Sequence, residues 1–246
     1  MEILTAPIFG SKHLIGLLFV VILLIGLHVL RKRKEVEHKK MILWISIAFI
    51  VMEIIKLTIM TVNKGAFPMN QLPLHLCSLC LYVYPILYFT KKDSTLEKFV
   101  LPAAFATVLA AAVAALVLPT NIIGNNDHWI PFTDNFYPFL SFVYHGLMVY
   151  AALYLLNSGY LKLTFKDIPR AWATTGVLMV VAIIANAVLD KDYMLLRTGN
   201  GSPLVFLLDN GQLVYTFSMI GLGLFIIALF ILVAMGVQRL TSKNEK

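Results

Sequence analysis

The chain has 246 residues, 59% of them hydrophobic and 13% charged, with a mean hydropathy of +0.83, whereas soluble domains run nearer about 45–50% apolar and about 25% charged. This excludes a soluble globular protein and points to a multi-span membrane protein with no room for a soluble domain. The net charge of +7 does not indicate nucleic-acid binding, because the basic residues flank apolar runs and form no stripe interleaved with aromatics; membrane lipids are the expected partners.

Seven apolar runs follow one another at about 13–30, 41–62, 73–90, 99–118, 137–156, 171–189 and 213–236. Each is near the ~20 residues that cross ~30 Å of hydrocarbon as a helix. The fold class is therefore all-α, a polytopic bundle of seven transmembrane helices forming one domain over 1–246. The first run lacks a small-residue cleavage site and is followed at once by Arg31-Lys32-Arg33-Lys34, which reads as a retained anchor.

Lysine and arginine set the orientation. Loops 31–40, 91–98, 157–170 and the tail 239–246 carry fifteen of them, against Lys12, Lys64, Lys191 and Arg197 on the other side. The positive-inside rule puts the basic loops in the cytoplasm, the N-terminus outside and the C-terminus inside. Glu2, Asp127, Asp134, Asp190, Asp192 and Asp209 all fall on the outer side, where segments 119–136 and 190–212 are also the longer ones.

With that topology, several hydrophilic groups sit at one depth. Glu53 and Lys56 lie in the outer half of the second run. His75, Cys77 and Cys80 open the third, His145 lies about two turns into the fifth, and Asn186 closes the sixth. Ionisable groups inside a membrane generally face a bundle interior or a wet cavity, so their convergence suggests a site. On a regular helix of 100° per residue, His75, Ser78 and Tyr82 share one stripe and Cys77, Cys80 and Tyr84 another. Pro73 suits a first helical turn, and the helix N-terminus beside Cys77 is an environment in which cysteine becomes nucleophilic. His145, flanked by Ser141 and Tyr144, is the base available from another helix. Asn186, Asp190 and Tyr193 are candidates to cap the site from the sixth run, with ordinary helix capping as the plainer account.

The segment "LPLHLCSLCLY" resembles the YwaF-type integral membrane proteins of bacteria, whose hallmark is a Leu-Pro-x-His-x-Cys opening to a central span. The in-span histidine of "FVYHGLMVY", the element "NAVLDKDY", a Ser-Pro loop and a final Tyr-containing span extend the likeness. That family is similar to animal phospholipid acyltransferases with a cysteine centre. The resemblance implies a bacterial plasma-membrane protein in which Cys77 accepts an acyl group and His145 or His75 is its base.

Three chemistries remain open at this level. Acyl transfer in the outer half of the bilayer would use a cysteine nucleophile and a histidine base. A binding or transport protein would line a path for an ion, proton or headgroup with Glu53, Lys56, His75 and His145. A redox protein would use Cys77 and Cys80, whose i, i+3 spacing is within disulfide reach. Two cysteines make no four-ligand zinc pattern, and no cofactor is expected.

Overall fold

The structure, a computed structural model, describes residues 9–32, 37–119, 137–199, 202 and 204–244. The described residues are mainly helical, with no strand among them. Among the described residues there are seven α-helices, α1 (Ser11–Lys32), α2 (His38–Lys64), α3 (Cys80–Phe89), α4 (Thr95–Val117), α5 (Tyr137–Asn157), α6 (Asp167–Leu189) and α7 (Gln212–Asn244). Six of them are long and apolar enough to cross a membrane, all except α3.

The third apolar run departs from the regular helix expected over 73–90. The chain passes a 3-10 turn at Met69–Gln71, runs extended past Leu72 and His75, and enters a second 3-10 turn at Leu76–Leu79 before α3 begins. Proline explains the delay. The residue before a proline is pushed out of the α region, and Leu72 has φ −51° and ψ 145°. Pro73 therefore starts no helix. Its carbonyl instead accepts the Tyr82 hydroxyl at 2.9 Å.

α4 is the central helix, packed against α3, α5, α6 and α7, and it is buried along most of its length. Its alanines at 103, 104, 106, 110, 111 and 112 present little side chain, so neighbouring backbones approach closely. Its start is capped by Ser94, whose Oγ accepts the Glu97 amide at 3.2 Å, while the Glu97 carboxylate reaches back to accept the Asp93 amide at 2.5 Å.

The ends of the bundle are tied by polar side chains. At one end Lys39 of α2 donates to the carbonyls of Leu87, Tyr88 and Thr90, closing the C-terminus of α3. Beside it Tyr160 donates to Glu97 at 2.6 Å, and His38 meets the Tyr154 hydroxyl at 2.9 Å. Burial and the Glu97 carboxylate hold the Tyr160 phenol above its usual range, so it remains a neutral donor. At the opposite end His13 Nε2 donates to the Leu116 carbonyl at 2.7 Å, tying α1 to α4. His13 is 1% exposed, although by its position at a span end nothing distinguished it.

Candidate functional site

At the His13 end the helices line a partly open cavity of about 720 Å³. Its lining comes from the second half of α2, the extended segment and 3-10 turn before α3, the last turns of α4, the first turns of α5, the middle of α6, the α6–α7 connection and the first half of α7. Of the residues the sequence singled out, eight line it: Glu53, Lys56, His75, Cys77, Ser78, Ser141, Tyr144 and His145.

The broken third run accounts for part of this meeting. On a regular helix Cys77 and His75 face apart. Here His75 lies outside the helix, with φ −80° and ψ 160°, and Cys77 and Ser78 belong to the tighter turn. All three consequently reach one cavity. Irregular backbone at membrane depth is tolerated where it lines such a space. Tyr82, expected on the His75 stripe, turns outward and is 38% exposed.

The two cysteines part company. Cys77 lines the cavity. Cys80 is fully buried, its Sγ placed 2.9 Å from the Tyr144 hydroxyl and 3.1 Å from the Cys77 carbonyl.

The histidines are fixed in tautomer by backbone. His145 Nδ1 lies 2.7 Å from the Ser141 carbonyl and 3.3 Å from Ser141 Oγ. A carbonyl can only accept, so Nδ1 carries the proton. Nε2 is then the unprotonated nitrogen; it has no hydrogen-bond partner among the described residues, and the side chain is 6% exposed. His75 is held likewise by Nε2, 3.0 Å from the Asn70 carbonyl, with its ring edge-on to Tyr193.

Glu53 and Lys56 form an ion pair at 2.8 Å across one turn of α2. Glu53 Oε1 is buried and receives the ammonium outside hydrogen-bond geometry, so its charge is compensated while its directional bonding is not. Lys56 is also within electrostatic range of His75, Cys77 and His145.

Asn186, Asp190 and Tyr193 do not line the cavity but stand behind it. Asn186 receives the Tyr193 amide at 2.6 Å and donates to its carbonyl at 3.0 Å. The Tyr193 hydroxyl donates to the Met69 carbonyl, bracing the segment that carries His75. Asp190 pairs with Arg197 at the surface, where such pairs contribute little. Lining residues that the sequence left unmarked include Tyr137 and Thr175, and Asp192, noted in the sequence only as one of the outer acidic residues, is a wall residue. Asp192 accepts the Arg197 and Gly199 amides and the Thr198 hydroxyl, which shapes the loop. The outer residues Asp127 and Asp134 lie outside the described residues.

The sequence matches the model of the TMEM164 family over residues 8–243, nearly its whole length. The chain belongs to the TMEM164 family. No curated protein and no solved structure matches it. The family match corrects the resemblance to YwaF-type bacterial proteins: the Leu-Pro-x-His-x-Cys opening and the in-span histidine sit in a TMEM164-family chain. Short motifs at membrane depth are set by the demands of packing and polarity, which unrelated helical bundles share. The resemblance was also the sole support for a bacterial location. A multi-pass integral membrane protein of the TMEM164 family, with six spanning-length helices among the described residues, is what the match and the helices establish together.

Proposed function

We propose that this TMEM164-family protein transfers acyl chains between membrane lipids in the non-cytoplasmic half of the bilayer, with Cys77 as nucleophile and His145 as general base. The observation that carries this is the tautomer of His145. Its proton is committed to the Ser141 carbonyl, which leaves Nε2 free to act as a base on a side chain that lines the same cavity as Cys77.

The step balances with these two groups. Cys77 gives its proton to His145 Nε2 as its sulfur attacks the carbonyl carbon of a lipid ester. The C–S bond forms, the ester C–O bond breaks, and the departing alcohol takes the proton. A second lipid hydroxyl then loses its proton to the same nitrogen, attacks the thioester and releases the thiolate, which is reprotonated. Lys56 supplies positive charge beside the oxygen that becomes negative. His75, fixed by the Asn70 carbonyl, orients the polar end of the substrate.

The proposed topology is one seven-crossing domain with the N-terminus outside. The order of helix ends supports it: residues lining the cavity come from the C-terminal part of α2, the start of the third run, the C-terminal part of α4 and the N-terminal part of α5. α4 begins 22 residues before its end, about 33 Å away at 1.5 Å per residue. In this proposed topology the third run carries the chain across between α2 and α4, short as α3 is.

In proteoliposomes holding a lipid with a labelled acyl chain and a lysolipid acceptor, Cys77→Ala abolishes label transfer while Cys80→Ala retains it. Transfer that survives in Cys77→Ala removes the thiol from the mechanism. One observation favours a second reading, a binding or transport protein: the buried, incompletely satisfied Glu53 carboxylate beside Lys56 is the kind of group that holds an ion or headgroup. That reading requires flux or binding lost in Glu53→Gln and unchanged in Cys77→Ala.

A further inference from the structure

The wall facing the polar groups is of a different kind. The ionisable cavity residues come from α2, the third run, α5 and the α6–α7 connection, whereas α4, α6 and α7 contribute only apolar side chains apart from Thr175. The Thr175 hydroxyl is already engaged with the Ala171 carbonyl at 2.8 Å and with Thr107 at 2.7 Å. Among the described residues that side has no polar group free for a ligand. A ligand filling the space must be polar at one end and hydrocarbon at the other.

Small residues shape this apolar side. Ala114 and Ala115 of α4 and Gly223 of α7 line it, and Ala114 is exposed to the cavity rather than packed under another helix. A Cβ built at Gly223 meets nothing within 4 Å. The glycine is therefore not there for close helix contact, the usual reason for glycine in a membrane helix; it leaves volume. Independent signs of a ligand stand in the same cavity: His145, 6% exposed with a free Nε2, and Glu53, 8% exposed with an unsatisfied Oε1.

We infer that the wall of Ala114, Ala115 and Gly223 is an acyl-chain lobe whose depth sets the chain length the protein accepts. This rests on the lipid acyl-transfer reading. The carbonyl end of the chain lies at Cys77, and the tail extends across the cavity toward α4 and α7. The four methionines of the lining, Met52, Met179, Met194 and Met219, adapt their unbranched side chains to a flexible tail.

The test needs no turnover. Purified full-length protein carrying Cys77→Ala, in nanodiscs, is titrated with alkylphosphocholines of graded chain length. Referred to the free aqueous concentration, with partition into empty nanodiscs subtracted, affinity rises by about fourfold per added methylene until the lobe is full. Adding Gly223→Leu moves that plateau to chains shorter by about four methylenes, the size of the side chain introduced, and leaves the shortest chains unaffected. Ala114→Val, which enters the same space from α4, gives a smaller shift in the same direction and serves if the leucine variant does not elute as a single species. An unchanged plateau, or an equal loss at every length, overturns the lobe. Because binding is read without catalysis, failure of the lobe leaves the transfer assay above free to succeed, and the reverse.

Discussion

At the scale of single residues, the decisive distances surround His145. The Ser141 carbonyl at 2.7 Å fixes the ring more firmly than the Ser141 hydroxyl at 3.3 Å. Ser141→Ala therefore leaves acyl transfer within about threefold of wild type, whereas His145→Gln lowers it by about 10²–10⁴-fold, the usual size of a general-base contribution; both are read as initial rates in proteoliposomes. The Glu53–Lys56 pair behaves differently. Lys56→Met strands a buried carboxylate and lowers stability by about 3–5 kcal/mol, while Glu53→Gln with Lys56→Met, which neutralises both, costs much less. Thermal unfolding of the two proteins in detergent compares them. Polar residues at this depth were legible in the sequence because hydrocarbon makes them rare, and eight of the candidates share the cavity. Tyr137 was not, since a tyrosine at a span end is what any membrane interface contains.

At the scale of elements, the third apolar run shows where periodicity misleads. An apolar run opening with proline reads as a helix from its first turn, yet the pre-proline residue is extended and a 3-10 turn intervenes before α3. The sequence carries the prolines; it does not say how far their effect extends. The connection from α6 to α7 was equally opaque. Its shape depends on the hold of Asn186 on both backbone groups of Tyr193, and on Gly199, at φ 65°. A Cβ at Gly199 would fall 2.7 Å from the Tyr215 hydroxyl, which donates to the Leu195 carbonyl at 2.5 Å. Gly199→Ala accordingly destabilises this connection by about 1–3 kcal/mol through backbone strain and the displaced hydrogen bond. Limited proteolysis at segment 190–199 registers it as faster cleavage.

At the scale of the molecule, composition alone placed the chain in a membrane and loop charges proposed its orientation, but helix length does not settle the number of crossings. Parity does. Seven crossings put the termini on opposite sides, and six with a re-entrant third run put them on the same side. Epitope tags at the two ends, probed in intact and permeabilised cells, show the N-terminal tag outside and the C-terminal tag inside if all seven segments cross. The central claim is chemical, that a thiol and a free imidazole nitrogen act together in one amphipathic cavity. It is tested most directly by incubating the purified protein with a lipid acyl donor, quenching in acid and weighing the peptide that contains residue 77. The expected result is one acyl chain attached to Cys77, released by hydroxylamine, and lost in His145→Gln. Acyl transfer that proceeds with Cys77 never modified contradicts the account.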